Sequence, residues 1–359
     1  MAKRVTLAVA GSRKTQSIVE HCSTLPKNRR VVILTYTQKN QQELEERLSR
    51  YAGDYLNVEV LGWFTFLLRH FAKPFLPFKF GGERVLGFNF DGRPFRMAKG
   101  KARFLDSGGA VYRSELGRLA SELIGDSRGA LMRRLEGIYD EILIDEVQDL
   151  SAHDWDIIDA LLTSKLDIWM VGDIRQSVLA TNDRSTKNRQ YAYADAIKWF
   201  RSREKRGLVT IDESSVTWRC HPKIAAFSDL IFDTSWAFPS TTSMNETNTG
   251  HDGVFLLRAE HVDAYMAAFK PQSLRHAVSS AKTLQLDFMN FRVAKGATFQ
   301  RVLIAPTSNI SEFIRRGTCM EPLAASIFYV AVTRAEQSVA IVLDDPGAST
   351  LPYWTPPTQ

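Results

Sequence analysis

Asp145 and Glu146 are the side chains around which chemistry is most easily built. They follow an apolar run, Ile142-Leu143-Ile144, and precede Gln148 and Asp149. An uninterrupted apolar run fits a strand buried on both faces of a parallel sheet. Carboxylates just past the carboxyl end of such a strand stand where α/β proteins hold a metal and its nucleotide. Taken alone, the stretch fits equally a strand running into a polar turn. Near the start of the chain, Gly11-Ser12-Arg13-Lys14-Thr15 separates an apolar stretch, 5–10, from a helix-forming one, 16–22. Strand, small-residue turn, Lys-Thr and helix is the layout of a phosphate-binding loop, where backbone N–H groups and a helix N-terminus meet phosphates. Lys14 would then reach the outer phosphates, and the Thr15 hydroxyl would ligate magnesium. The match is partial, because Ala8 and Arg13 occupy the two glycine positions of the pattern. An exposed basic pair on an ordinary turn is the alternative. A further apolar run, 168–171, ends in Gly172-Asp173, with Gln176 shortly after. That places a second polar group at the same sheet edge, suited to orient a phosphate or a water.

Alternating elements must position these groups. Strands are expected at 5–10, 31–37, 58–61, 142–144 and 168–171, with a charged helix at 38–50 and another helix at 154–162. Strand and helix in alternation imply a parallel sheet. Residues 62–71 are rich in aromatics that suit either a core or a stacking surface. From 73 to 109, Pro, Gly and Phe mix with Arg93, Arg96, Lys99, Lys101 and Arg103. Basic and aromatic side chains interleaved in this way suit single-stranded nucleic acid, and a solvated insertion with a small local core fits as well. A helical stretch, 111–135, returns the chain to the acidic strand. After a polar loop at 181–193 and a basic helix at 194–205, periodicity lapses at 206–215. A second α/β half follows, with strands at 254–257, 302–305 and 339–343. The proline-rich end, from Pro346, is expected to be poorly ordered.

The 359 residues are 44% hydrophobic and 24% charged, with a net charge of +6 and a pI near 9.1. Such a chain can bury two ordinary cores, and its mild basicity is compatible with a polyanionic partner. Cys22, Cys220 and Cys319 lie far apart without metal-ligand spacing, which argues against a disulfide scaffold or a structural zinc. No stretch approaches a membrane span, so a cytoplasmic location with no membrane partner is expected.

Taken in order, AGSRKT, LTYTQKN, LIDEVQDL, MVGDIRQS, TWRCHP, RVAKGATF and YVAVTRA resemble the seven motifs of the UvrD/Rep/PcrA group of superfamily 1 helicases. The resemblance spans nearly the whole chain. It implies an α/β fold of two RecA-like P-loop NTPase domains in tandem: the first at 1–210 with a small insertion at 72–138, the second at 211–345, and a tail at 346–359. It also implies ATP and Mg2+ in the cleft between the domains, with single-stranded DNA across the top. Carried over by position, Gly11, Ser12, Arg13, Lys14, Thr15 and Gly296 would hold the nucleotide, and Thr15 and Asp145 the metal. Glu146 would be the catalytic base and Gln176 the γ-phosphate sensor. Arg219 and Arg334 would be the arginines that stabilise charge on the transferred phosphoryl group. Tyr36, Thr37, Trp63 and Lys295 would contact DNA.

This sequence departs from the group in several places. Arg13 replaces a glycine, and the glutamine motif that reads adenine is missing. Thr298 replaces a glutamate near the ribose, and Arg292-Val293 replace a His-Ser pair. Leu179-Ala180-Thr181-Asn182 occupy the place of a base-stacking aromatic and an Arg-Gly-Ala; Tyr36, Trp63, Tyr191 or Tyr193 are the substitutes at hand. The spacing between motifs leaves no room for the large accessory subdomain. The resemblance thus implies an ATP-dependent DNA helicase or translocase. The alternative, prompted by Arg13, is a nucleotide-binding regulatory subunit with weak or no turnover, partner to a nuclease or other DNA-processing protein.

Overall fold

A computed structural model describes residues 2–51, 57–182, 185–281 and 283–357. The first six-stranded sheet takes β1 (Lys3–Ala8), β2 (Val31–Thr35), β3 (Val58–Gly62), β6 (Glu141–Ile144), β7 (Asp167–Gly172) and β8 (Thr210–Ser214), in the order β3-β2-β6-β7-β1-β8. Every pairing in it is parallel. Both faces are covered, so β2 and β6 are buried at every position, which is why they read as unbroken apolar runs rather than alternating ones.

The second sheet takes β11 (Gly253–Leu257), β12 (Gln272–Arg275), β13 (Phe288–Asn290), β14 (Phe299–Ile304), β15 (Ala335–Val342) and β16 (Tyr353–Trp354), in the order β13-β12-β14-β15-β11-β16. It too is parallel throughout. The chain therefore folds as two parallel-sheet α/β domains in tandem. Two short pairs complete the strands: β4 (Gly87–Asn89) with β5 (Ala110–Tyr112), and β9 (Val216–Thr217) with β10 (Thr242–Ser243).

Two local expectations change. The proline-rich end is packed rather than loose, because β16 extends the second sheet beside β11. The Trp354 ring lies 5.1 Å from Tyr265 and 5.8 Å from Phe269. The helical stretch expected at 111–135 is two helices, Arg113–Asp126 and Ala130–Ile138. They part where Arg128 and Gly129 take positive φ of 48° and 84°, a left-handed conformation that ends a right-handed helix.

At the β3 side, His70 is 3% exposed, with Nδ1 3.2 Å from Arg134 and Nε2 3.0 Å from the Tyr139 hydroxyl. The Arg134 guanidinium can only donate, so Nδ1 carries no proton and the ring is neutral. Burial, with help from Arg134 and Arg69, pushes its pKa down to about 4 from the ordinary 6.5. Above 6.5 the ring is neutral in both folded and unfolded chains. Below that, the unfolded chain takes up a proton that the fold refuses, so stability is lost as pH falls from about 6.5 to about 4. A His70→Gln variant should show a smaller drop in urea midpoint between neutral pH and pH 4 than the unaltered chain. Equal drops would mean that His70 does not carry this acid sensitivity.

Candidate functional site

Three neighbouring strands of the first sheet, β6, β7 and β1, end on the same edge. Past those ends come Asp145 and Glu146, Asp173 and Gln176, and Gly11 to Thr15. Parallel pairing makes this convergence unavoidable, since every carboxyl end faces one way. Facing it is a cavity of about 650 Å³. From the first domain, Gly11, Ser12, Arg13, Lys14, Thr15, Glu146 and Gln176 line it. From the second come Trp218, Arg219, Lys295, Gly296, Thr298 and Arg334.

The phosphate-binding loop leads into helix α1 (Lys14–Thr24), whose first turn has no acidic residue and no side-chain cap. The Ser12 hydroxyl is buried without a partner among the described residues. An uncapped helix N-terminus with a spare donor beside it is suited to an anion. Gly11 has φ +75°, and a Cβ there would come within 2.6 Å of the Arg219 Cβ. No other residue fits this junction. Its carbonyl accepts the Trp218 N–H at 3.0 Å, and the Ala10 carbonyl accepts the Thr217 hydroxyl at 2.7 Å. The second domain thus holds the loop directly.

Arg13, which stands at a glycine position of the pattern, adopts φ 61°. It reaches across to place its guanidinium 4.0 Å from the Trp218 ring centroid. Lys14 donates to the Val9 carbonyl at 3.1 Å.

The acidic groups lie close enough to this loop to feel it. Burial, then Glu146, pushes the Asp145 carboxyl up to about 7, against the pull of Lys14. Asp145 is 4% exposed and accepts the Glu146 N–H at 2.9 Å. Burial also raises Glu146, but Lys295, Lys14, Gln148 and Arg334 together hold it below the ordinary carboxylate value, so it stays ionised. Glu146 has φ 55°, a left-handed residue where strain of about 1–3 kcal/mol is retained only if the surroundings fix it.

On the opposite wall, Arg334 is 1% exposed. It donates from Nε to the Val330 carbonyl at 3.1 Å, from Nη1 to Ala297 at 3.3 Å and from Nη2 to the Gln176 side-chain oxygen at 2.7 Å. Burial, then Arg219, pulls its pKa down to about 10. Arg219 donates to the Thr333 carbonyl at 3.2 Å. Gln176 in turn donates to Asp173 at 2.7 Å.

Two of the four residues that the resemblance assigned to DNA, Trp63 and Lys295, lie elsewhere than on an open surface. Trp63 is 1% exposed and donates to Asp154 at 2.9 Å, so it is a core residue with no free face for a base. The Lys295 ammonium lies 2.7 Å and 2.8 Å from the two Asp149 oxygens and 3.9 Å from Glu146; it bridges the domains inside the cleft. Thr37 caps helix α2 (Gln38–Tyr51) by accepting the Asn40 N–H at 3.1 Å. Tyr36 is half-buried, its hydroxyl 3.4 Å from the Ala180 carbonyl. Gly296, at φ +86°, lines the cavity.

Two residues of the site escaped the sequence reading. Tyr329 opens the YVAVTRA stretch, but it sits in an apolar helix, Pro322–Val332, and received no role of its own. Yet its hydroxyl accepts the Ala10 N–H at 3.2 Å and lies 3.3 Å from Asp173, joining the phosphate-binding loop to the Gln176 segment. Asp229, on helix Pro222–Asp229, pairs with Arg175 at 2.8 Å. Nothing local marks Asp229, and the stretch around Tyr329 does not name its partners, because the partners of both residues are distant in the chain.

Residues 3–182 match the AAA domain family. Among solved structures, the chain is similar to arterivirus nonstructural protein 10, described as a helicase. One such structure, described as a complex with DNA, is 15% identical, with a TM-score of 0.50, covering 96% of this chain and 61% of that one. Another is 15% identical, with a TM-score of 0.48, covering 95% and 59%. This chain therefore spans about three fifths of the length of those helicase chains. No curated protein matches it. The likeness is one of fold: two RecA-like α/β P-loop domains in tandem.

Proposed function

Because this chain belongs to the AAA domain family, matched over its first half, we propose that it hydrolyses ATP between its two α/β domains and uses the cycle to act on single-stranded DNA. The affiliation proposed is the UvrD/Rep/PcrA group, through the seven motifs in order. One observation carries the reading. Arg13, Lys14, Arg219 and Arg334 all line one cavity, and none of them is in an ion pair among the described residues. The cations nearby that do have partners, Arg47 and Lys295, are paired with acids at 2.7 Å. Four unpaired cations around an uncapped helix N-terminus demand a polyanion, and a triphosphate fits the cavity's size and charge.

Lys14 and the α1 N-terminus would bind the phosphates, and Arg334 and Arg219 would meet the charge that develops on the transferred group. Glu146 would accept the proton of the attacking water. Thr15 and Asp145 offer hard oxygen ligands for a divalent cation, whose chemistry there would be to neutralise phosphate charge; the Asp145 carboxylate, buried and in no ion pair among the described residues, would fit that task. Because Glu146 comes from one domain and Arg334 from the other, chemistry would require the closed cleft seen in the Arg334 to Gln176 bond. Repeated closure would then drive movement along a strand.

The test is ATP hydrolysis measured with single-stranded DNA, duplex and RNA in parallel. Stimulation by the single strand is expected, and its absence with every polymer would sink the motor reading. A second reading, a nucleotide-binding regulatory subunit beside a nuclease or other DNA-processing protein, is favoured by Arg13. Its left-handed backbone costs about 1–2 kcal/mol, and its contact with Trp218 returns about 0.5–1 kcal/mol. Arg13→Gly should accordingly change stability little while removing the guanidinium from the Trp218 wall of the cavity. Tight ATP binding without turnover in the unaltered chain, with turnover appearing in Arg13→Gly, would select this second reading.

A further inference from the structure

The insertion between β3 and the acidic strand presents a surface that the cleft does not use. From residue 84 to 103 it carries Arg84, Arg93, Arg96, Lys99, Lys101 and Arg103 against a single acid, Asp91. Lys101 is spent on Glu83 at 2.7 Å and Arg103 on Glu115 at 2.9 Å. Arg84, Arg93, Arg96 and Lys99 are exposed and take part in no ion pair among the described residues. Interleaved with them are apolar side chains in water: Leu86 at 76% exposure, Phe90 at 55%, Phe95 at 77% and Met97 at 69%. The insertion has its own small core, since Phe104 is buried against Phe80 at 6.1 Å. The exposed rings are thus not the ones that hold it together.

One of these rings, Phe90, continues a row that begins at the functional edge of the first sheet. Tyr36, just past the carboxyl end of β2, lies 5.9 Å from Phe64; Phe64 lies 6.2 Å from Phe88, and Phe88 lies 6.1 Å from Phe90. The Arg113 guanidinium covers Phe90 at 4.7 Å and Phe64 at 5.9 Å and is fixed by donating from Nε to the Phe90 carbonyl at 3.2 Å. The row starts beside the Tyr36-Thr37 turn, carries the Arg113 guanidinium over two of its rings, and ends at Phe90, from which the chain runs on through Arg93, Phe95, Arg96 and Lys99, all exposed.

We propose that this row and the 84–99 arm form a seat for single-stranded nucleic acid, with bases on Phe90 and Phe95 and phosphates on Arg93, Arg96, Lys99 and Arg113. The inference rests on the nucleic-acid reading above and names the strand's path. Charge decides the occupant. A purely apolar partner would gain nothing from four unpaired cations, and an acidic peptide would leave the rings in water. A single strand uses both, because every base has a face to stack and every nucleotide carries a phosphate.

The experiment measures binding of the full chain to labelled single-stranded DNA and RNA oligonucleotides across a salt series. A Phe90→Ala/Phe95→Ala variant should lose affinity about five- to a hundredfold for each stacked base. An Arg93→Gln/Arg96→Gln/Lys99→Gln variant should lower the slope of log affinity against log salt by about two. Matched melting temperatures would show that both variants fold. If the unaltered chain binds strands and both variants bind equally well with the same slope, the seat is overturned and the motor reading stands. If the unaltered chain binds no strand, both fall.

Discussion

Replacing Arg334 with alanine is expected to lower ATP turnover at least about 10³-fold, the range in which an arginine finger acts, while nucleotide affinity falls by no more than about tenfold. Arg334 is nearly inaccessible, with burial and the neighbouring Arg219 opposing its charge. Among the described residues it has only the carbonyls of Val330 and Ala297, the Thr333 hydroxyl and the Gln176 amide oxygen as partners. A buried guanidinium without a carboxylate is costly to keep. It lines the cavity beside Lys14 and Glu146, where the proposed reaction would develop negative charge. Truncating an ordinary core side chain of this size would destabilise the fold by several kcal/mol. Truncating Arg334 also removes an uncompensated charge, so the melting temperature should fall far less than such a cavity implies. Single-turnover hydrolysis and thermal melting on the same preparation separate the two effects. Arg334→Lys keeps the charge but loses the fork that grips both Gln176 and a phosphate, and should also be slow. Turnover within tenfold of the unaltered chain for both variants would remove Arg334 from the chemistry.

How much of this was legible in the sequence depends on how local each signal is. The strands β2 and β6 were plain, because burial on both faces leaves a single pattern, an unbroken apolar run. Asp145 and Glu146 were found by their place at the end of such a run. The adjacency of β6, β7 and β1 was not legible, since strand order is a property of pairings far apart in the chain. For the same reason Lys295 could be placed in a motif but not on Asp149. Trp63 belongs to an aromatic stretch, Trp63 to Phe66, in which core and stacking surface share one composition; only the Asp154 bond and full burial decide it. At Arg13 the glycine pattern drew attention to the side chain. The structure adds that the backbone keeps the left-handed φ a glycine would have, so the loop's shape survives the substitution and the side chain moves out to Trp218. The tail misled because proline argues against helices, and a two-residue edge strand such as β16 needs none.

Glu146→Gln should reduce turnover about 10²- to 10⁴-fold, as expected for loss of a positioned general base, and should leave ATP binding intact or tighter. The carboxylate lies in a setting that keeps it ionised: Lys295, Lys14 and Arg334 oppose the effect of burial, and the Gln148 amide donates to it. An ionised base below the ordinary carboxylate range is ready at neutral pH, so the acid limb of the turnover profile should not come from Glu146 titrating near neutrality. Glutamine preserves the side chain's size and can hold the left-handed backbone at φ 55°, yet it cannot take a proton from water. It also removes one negative charge beside the bound phosphates, which is why affinity should not weaken. The variant would accordingly hold nucleotide in the closed cleft, where Arg334 already meets Gln176 across the domains. Equilibrium binding of a fluorescent ATP analogue, paired with single-turnover hydrolysis, reads both quantities. Parallel loss of binding and turnover would mean that Glu146 serves the loop's structure and not the proton transfer. Unchanged turnover would leave the attacking water without its assigned base and return the choice to the other carboxylate at the Lys295 ammonium, Asp149.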